Sequence, residues 1–277
     1  MNLEETIQQM VNLALQEDIG SGDLTAALIA AEASGQAHVI VREPAILCGI
    51  QWFNEVYRQL DSSINIHWNY SDGQRLEANQ VICELQGSLR HLLTGERTAL
   101  NFIQTLSATA TAANKYARAV SGTNIKILDT RKTLPGFRLA QKYAVKCGGC
   151  FNHRIGLFDA ILIKENHIIA AGSISAAVAQ ARKINPGYSI ELEVENVTEV
   201  REALAAGVDR LLLDNMDARV MREAVEITAG NCELEASGGI NLSNIREFAN
   251  TGIDYISVGD MTKNIQSIDL SMRFNQN

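Results

Sequence analysis

In the second half of this chain, short apolar runs keep stopping at a polar or charged residue. Residues 125–128 end at Asp129, 160–163 at Lys164, 190–192 at Glu193, 211–213 at Asp214, 234–236 at Ser237 and 255–258 at Gly259. Between them, residues 175–184, 197–206, 218–229 and 242–251 space their apolar side chains as helices do. Strand–helix units that repeat every ~20–35 residues specify a parallel βα architecture. Functional-looking residues just past each strand point to a barrel whose site lies at the C-terminal face. Only six such strands stand out, whereas a closed barrel has about eight. The barrel is therefore incomplete, or a strand hides in the helical stretch before it.

The first part has a different rhythm. Leu3, Ile7, Met10, Val11 and Ala14 form one helical stripe, so residues 3–17 read as an amphipathic helix, broken by Glu17-Asp18-Ile19-Gly20-Ser21-Gly22-Asp23. A strand is expected over 37–47 and a helix over 50–60. Ile64, Ile66, Trp68 and Tyr70 alternate with polar residues as in a half-exposed strand. Asp72-Gly73 signals a turn, 81–85 reads as a short strand, and 89–120 as helix. We place the domain change near 106–113, giving a first domain at 1–110 and a barrel domain at 111–267. Residues 268–277 are too short for another unit and are expected to pack back on the first domain.

Composition narrows the function classes. The chain has 277 residues, 46% of them hydrophobic, which suffices for a substantial core. No apolar run approaches the ~18 residues of a membrane span, and the N-terminus lacks the basic and apolar regions of a secretory signal. Five scattered cysteines suit a reducing, cytoplasmic setting better than a disulfide framework. A net charge of −8 without long basic runs argues against a nucleic-acid partner.

Against that acidic background, residues 131–164 carry seven cations, Arg131, Lys132, Arg138, Lys142, Lys146, Arg154 and Lys164, with Asp159 as the one acid. Such an island repels itself unless an anion fills it, so a small ligand with several negative charges is expected. Arg suits a bidentate grip on carboxylate, and Lys a point contact with phosphate. His153-Arg154 form a second cationic pair behind the flexible Cys147-Gly148-Gly149-Cys150. Lys164, where a strand runs out, suits an anion contact or a Schiff base. Glu191, Glu193 and Glu195 share one strand face, and with Asp214 can hold ribose hydroxyls or a hydrated Mg²⁺. Ser237-Gly238-Gly239 and Gly259 follow late strands, where barrel loops commonly bind phosphate through backbone N–H groups.

Together these residues resemble the quinolinate phosphoribosyltransferase family, also called carboxylating nicotinate-nucleotide pyrophosphorylases, over nearly the whole chain. The resemblance runs through 17–25, Gly95-Glu96-Arg97-Thr98-Ala99-Leu100-Asn101, Asp129-Thr130-Arg131-Lys132-Thr133 and His153-Arg154-Ile155-Gly156-Leu157. It continues through Lys164-Glu165-Asn166-His167, Glu191 to Glu195, Leu213-Asp214-Asn215 and Ser237-Gly238-Gly239. Cys150 departs from a usually glycine-rich loop. The resemblance implies an α/β fold, with an N-terminal α/β sandwich domain and an incomplete TIM-like barrel. The implied reaction joins quinolinate to phosphoribosyl pyrophosphate with Mg²⁺, yielding nicotinate mononucleotide, pyrophosphate and CO₂, a step of NAD biosynthesis.

It further implies a homodimer, with possible higher assembly, in which Arg97 of one subunit reaches the other's barrel. On this resemblance Arg97, Arg131, Arg154 and Lys164 grip quinolinate and His153 orients it. Thr130 belongs to the substrate site, and Lys132 faces the pyrophosphate. Glu193 and Asp214 hold ribose and Mg²⁺, partly through water. Lys132, Glu193 and Asp214 form the catalytic set. Ser237, Gly238, Gly239 and Gly259 cradle the 5-phosphate.

Two other classes compete. An aldolase-like barrel would use Lys164 as a Schiff-base amine, and a metabolite sensor would bind without turnover. For Cys147 and Cys150 the expectation is a close-passing loop without stoichiometric zinc, since a zinc site needs further ligands.

Overall fold

A computed structural model of the protein describes residues 2–274. In chain order it forms α1 (Leu3–Ile19), β1 (Ser34–Val41), β2 (Ala45–Ile46), α2 (Ile50–Leu60), β3 (Asn65–Trp68), β4 (Arg75–Leu76), β5 (Val81–Ser88) and α3 (Leu89–Ala119). There follow β6 (Lys126–Leu128), α4 (Arg138–Cys147), β7 (Ile161–Ile163), α5 (Glu165–Ala171), α6 (Ile174–Ile184), β8 (Ile190–Val194), α7 (Val197–Ala206) and β9 (Arg210–Asp214). The last elements are α8 (Ala218–Thr228), β10 (Glu233–Ser237), α9 (Ile245–Ala249), β11 (Tyr255–Ser257), α10 (Asp260–Lys263) and β12 (Leu270–Phe274).

The described residues divide into two compact units. One comprises 2–114, 135–149 and 264–274; the other comprises 115–134 and 150–263. The division at 114/115 falls within the continuous α3. Residues 264–274, with β12, belong to the first unit, the place expected for the segment from 268 on, whereas 135–149, with α4, were expected in the barrel domain.

The first unit is built on an antiparallel sheet of order β12-β1-β5-β3. Alternation decides its faces. Ala37 opposes Leu85 and Val39 opposes Cys83 on the buried face. His38 opposes Glu84 and Gln36 opposes Gln86 on the other, where they line a shallow groove of about 320 Å³ with Asn65 and His67. The strand expected over 37–47 is interrupted after Val41. Pro44 lies in the gap and has no N–H to give a ladder.

Helix α1 starts where Asn2 Oδ1 accepts the Glu4 N–H at 3.1 Å, and it buries Ile7, Val11 and Leu15 in the core. In α2, Phe53 packs edge-on against Trp68 and also meets Tyr57, at ring-centroid distances of 5.1 and 5.4 Å. Helix α3 passes so close that a Cβ on Gly95 would lie 2.7 Å from the Tyr57 ring.

The second unit carries six parallel strands in the order β6-β11-β10-β9-β8-β7. These are the six runs read from the sequence. Outside β6, Phe151 adds a one-residue parallel bridge to Leu128. Among the described residues no ladder joins Phe151 to β7, so the barrel is open, as expected.

Ile190, Leu192, Val194, Leu211, Leu213, Leu234, Ala236 and Ile256 bury one face of this sheet. The opposite face is polar. Arg210 aligns with Glu191 on β8 and with Glu233 on β10. Its guanidinium stacks 4.0 Å from the Tyr255 ring centre and donates to Glu233 Oε2 at 2.7 Å. The Tyr255 hydroxyl donates to Glu233 Oε1 at 2.9 Å. Glu193, Glu235, Asp214 and Ser237 continue this face toward the strand ends.

Candidate active site

The C-terminal ends of the parallel strands gather every predicted site residue of the second unit. Thr130, Lys132, Ser237, Gly238, Gly239 and Gly259 line one cavity of about 250 Å³. Backbone geometry explains why glycines stand there. Gly238 sits at φ +89°, and a Cβ on it would lie 2.1 Å from Asn215 Oδ1. A Cβ on Gly259 would lie 3.0 Å from Lys132 Cδ and 3.2 Å from Thr130 Oγ1. The Lys132 loop is tied down at both ends of the residue. Its N–H donates to Thr130 Oγ1 at 3.0 Å, and its carbonyl accepts from the Thr262 hydroxyl at 2.8 Å. Lys263 and Asn241 also line this cavity. Sequence reasoning missed both, since neither follows an apolar run.

At the next strand ends, Lys164 Nζ is paired with Glu193 Oε2. The Lys164 N–H donates to His167 Nδ1 at 3.0 Å, fixing the start of α5. Asp214 Oδ2 accepts from Asn215 Nδ2 at 2.6 Å, and the Asn215 N–H reaches the Ser237 carbonyl at 2.9 Å. Asn215 therefore ties the tips of β9 and β10 together, at φ +54°. The Glu193 and Asp214 carboxylates stand at the ends of neighbouring strands, β8 and β9.

His153 and Arg154 occupy the loop after Phe151. Buried Asp129, at the tip of β6, accepts the His153 N–H at 2.9 Å and the Asn152 side-chain amide at 2.6 Å. The His153 ring turns into the polar face of the sheet, and its side chain is 10% exposed. Its Nε2 lies 3.0 Å from Glu191 Oε2 and 3.5 Å from Glu235 Oε1. Its Nδ1 accepts the Arg154 N–H at 2.7 Å, which requires a lone pair there and so places the ring hydrogen on Nε2. Both ring nitrogens are thus engaged within the protein.

Burial pulls the imidazole pKa down, but the hydrogen bond to Glu191 and the charges of Glu235 and Glu191 outweigh it and leave it raised. Glu235 is 0% exposed, and burial, aided by repulsion from Glu191, pushes its carboxyl up to about 7. Glu191 Oε1 and Glu235 Oε1 are buried without a hydrogen-bond partner. A buried carboxyl and an imidazole thus stand 3.5 Å apart, each influencing the other's proton. Sequence reasoning missed Glu235 and Arg210. The available signal was a charge alternating inside an apolar run, Leu234-Glu235-Ala236.

Burial first, and then the charge of Arg131, lower the Arg154 pKa. Its Nη1 donates to the Ala160 carbonyl at 3.3 Å. Asp159 receives the N–H groups of Ile155 and Gly156 at 2.7 and 3.1 Å and so folds the loop that follows. At the loop's tip, Leu157 and Phe158 are 73% and 71% exposed.

The cationic island is divided. Arg131, Lys132, Arg154 and Lys164 belong to this unit, whereas Arg138, Lys142 and Lys146 lie on α4 in the first unit. Arg97, exposed on α3, is also in the first unit.

Family models for the quinolinate phosphoribosyl transferase N-terminal and C-terminal domains match residues 23–107 and 109–273. The chain is 42% identical over 268 residues to a probable nicotinate-nucleotide pyrophosphorylase [carboxylating] of Bacillus subtilis, covering 96% of this chain and 92% of that protein. It is 34% identical to a mitochondrial quinolinate phosphoribosyltransferase [decarboxylating] of Nicotiana tabacum, covering 96% and 82%. Among solved structures, the nicotinate-nucleotide pyrophosphorylase from Francisella tularensis superposes with a TM-score of 0.96 at 50% identity, covering 99% of this chain and 98% of that one. The NadC structure from Streptococcus pyogenes gives 0.95 at 39% identity, covering 99% and 97%. These matches extend over both units, and the chain belongs to the quinolinate phosphoribosyltransferase family.

Proposed function

We propose that this protein transfers the phosphoribosyl group of phosphoribosyl pyrophosphate to quinolinate with decarboxylation, giving nicotinate mononucleotide, pyrophosphate and CO₂. The observation that carries this reading is the convergence of a glycine-lined, cation-bearing cavity with Arg154, Lys164, Glu193 and Asp214 at one end of one sheet. Such a site suits a phosphorylated sugar beside a dianion.

Arg131, Arg154 and Lys164 take the two carboxylates, each cation trading an internal contact for a substrate oxygen. His153 acts one step back, fixing the main chain of Arg154 through its ring. Ser237, Gly238, Gly239 and Gly259 receive the 5-phosphate together with Thr130. Lys132 and Lys263 add positive charge on the phosphate side. Glu193, released from Lys164 when quinolinate arrives, joins Asp214 at the ribose hydroxyls.

The pyridine nitrogen attacks the anomeric carbon as the bond to pyrophosphate breaks. The two carboxylates lie where positive charge grows on the ribose ring, and stabilise it. The pyridinium then accepts the electron pair left by the departing CO₂, and the ring carbon takes up a proton.

Glu193 and Asp214 also fit Mg²⁺, an ion that is held by one or two carboxylates plus substrate oxygens and water. Bound there, Mg²⁺ supplies countercharge to the pyrophosphate.

We assign the protein to the cytoplasm; among the described residues no helix is long and apolar enough to cross a membrane. We also propose a homodimer in which Arg97 completes the partner's site. Exposed Leu157 and Phe158, with Leu24 and Leu28 at 92% and 84%, offer apolar surface for association. Mixing Arg97→Ala with Lys164→Ala protein should restore part of the activity through hybrid dimers. No recovery after verified subunit exchange would mean a site built within one chain. The reaction itself is tested by following pyrophosphate and CO₂ from quinolinate and phosphoribosyl pyrophosphate. One-to-one release is expected, and release of neither would overturn the assignment.

A further inference from the structure

The described residues hold a thiol cluster that the proposed reaction does not use. Cys48, Asp72 and Cys147 place two sulfurs and a carboxylate oxygen within 4.8 Å of one another in the first unit. Cys147 and Cys150 have C-x-x-C spacing, read from the sequence as a close-passing loop. The fold instead brings Cys147, at the C-terminus of α4, to Cys48, which lies ninety-nine positions earlier and just after β2.

The surroundings treat the two sulfurs unequally. Cys48 is 0% exposed, and its backbone is clamped by Ser107, whose Oγ accepts the Cys48 N–H at 3.0 Å and whose hydroxyl donates to the Cys48 carbonyl at 3.1 Å. Cys147 is half-buried. The carboxylate between them is already fully employed. Asp72 Oδ1 accepts the N–H groups of Gly49 and Ile50 at 3.0 and 3.3 Å, and Oδ2 accepts the Tyr143 hydroxyl at 2.8 Å. With its carboxylate already committed, the cluster is a weak donor set for a metal. It is a good setting for sulfur chemistry, with a fixed, buried thiol behind a reachable one.

We propose that Cys48 and Cys147 are a reversible redox pair that closes a disulfide with a low-molecular-weight disulfide as oxidant. Cys147, as thiolate, attacks one sulfur of the oxidant and expels one thiolate, forming a mixed disulfide. The Cys48 thiol loses its proton, attacks the Cys147 sulfur and expels the second thiolate. Two protein thiols are oxidised and one small disulfide is reduced to two thiols, so atoms and electrons balance. The order follows from access and acidity. A hydrogen bond from Cys48 lowers the Cys147 pKa, whereas burial pushes Cys48 well up. The sulfurs lie within 4.8 Å of one another, a short approach to the ~2.05 Å of an S–S bond.

The remaining cysteines are poor competitors. Burial pushes Cys150 up to about 12 and Cys232 up to about 11, and Cys83 is raised as well, again by burial.

The test uses the full chain. Native protein is equilibrated with glutathione and glutathione disulfide at graded ratios, quenched with acid, alkylated and peptide-mapped by mass spectrometry. A Cys48–Cys147 crosslink should form and disappear reversibly with the ratio. In Cys48→Ser a glutathione adduct should accumulate on Cys147 instead. A crosslink to Cys150, or no crosslink in wild type while another cysteine is modified, would overturn the pairing. Stoichiometric zinc released from the pair on oxidation would overturn it too, by making the cluster a metal site. The wild-type map needs no variant, so a misfolded Cys48→Ser would not spare the proposal.

Discussion

The two larger sheets among the described residues invert one another. In the antiparallel sheet the apolar face, Ala37, Val39, Cys83 and Leu85, is the buried one, and the polar face of His38, Glu84 and Gln86 lines an open groove. In the parallel sheet both faces are largely closed, and charge is kept inside: Glu191, Glu235, His153 and Arg210 crowd the interior. Apolar burial stabilises, whereas burying ions costs several kcal/mol per charge before partners offset it. The first sheet is therefore built for stability. The second accepts a penalty in order to hold cations and carboxylates at fixed positions for a charged substrate.

This contrast is broken most severely at the proposed anion grip. Arg154→Ala should weaken quinolinate binding by roughly 2–5 kcal/mol, with a much smaller effect on phosphoribosyl pyrophosphate. Calorimetry with each substrate separates the two, and equal losses would count against a local role. Next comes the apolar face. Leu85→Ala should cost about 2–5 kcal/mol of stability in urea unfolding, while His38→Ala, beside Leu85's cross-strand partner Ala37 but on the other face, should stay within about 0.5 kcal/mol. Comparable losses would mean that both faces of this sheet are sealed.

The interior charge gives a pH signature. The Glu235 carboxyl is raised from 4.5 to about 7 by burial and by Glu191. A raised pKa adds stability that is fully present below the unfolded value and is lost as pH climbs through the folded one. Glu235→Gln removes that loss. Its stability relative to wild type should rise between pH 5 and 8, by on the order of 1–3 kcal/mol. Parallel pH curves would show that Glu235 is ionised throughout.

The parallel sheet was legible because each strand buries a short apolar run and then stops at a residue with chemistry, from Asp129 to Gly259. Three things were not. Helix α4 was read only as cations, because Arg138, Lys142 and Lys146 mask its apolar stripe of Ala140, Ala144 and Val145. Strand β12 depends on pairing with β1, more than two hundred residues away, and nothing local announces it. In the site, loop glycines and strand-end charges were visible as patterns, but the turn of His153 into the sheet was not. It depends on Glu191 and Glu235 arriving from two other strands.

The central claim is that an interior built around fixed charge serves a dicarboxylate. Steady-state turnover of quinolinate and nicotinate, each with saturating phosphoribosyl pyrophosphate, tests it directly. On the proposed grip, nicotinate would leave one or more of the cations Arg131, Arg154 and Lys164 unmatched, so kcat/KM should favour quinolinate by at least about a thousandfold. Turnover of nicotinate within tenfold of quinolinate would contradict the account.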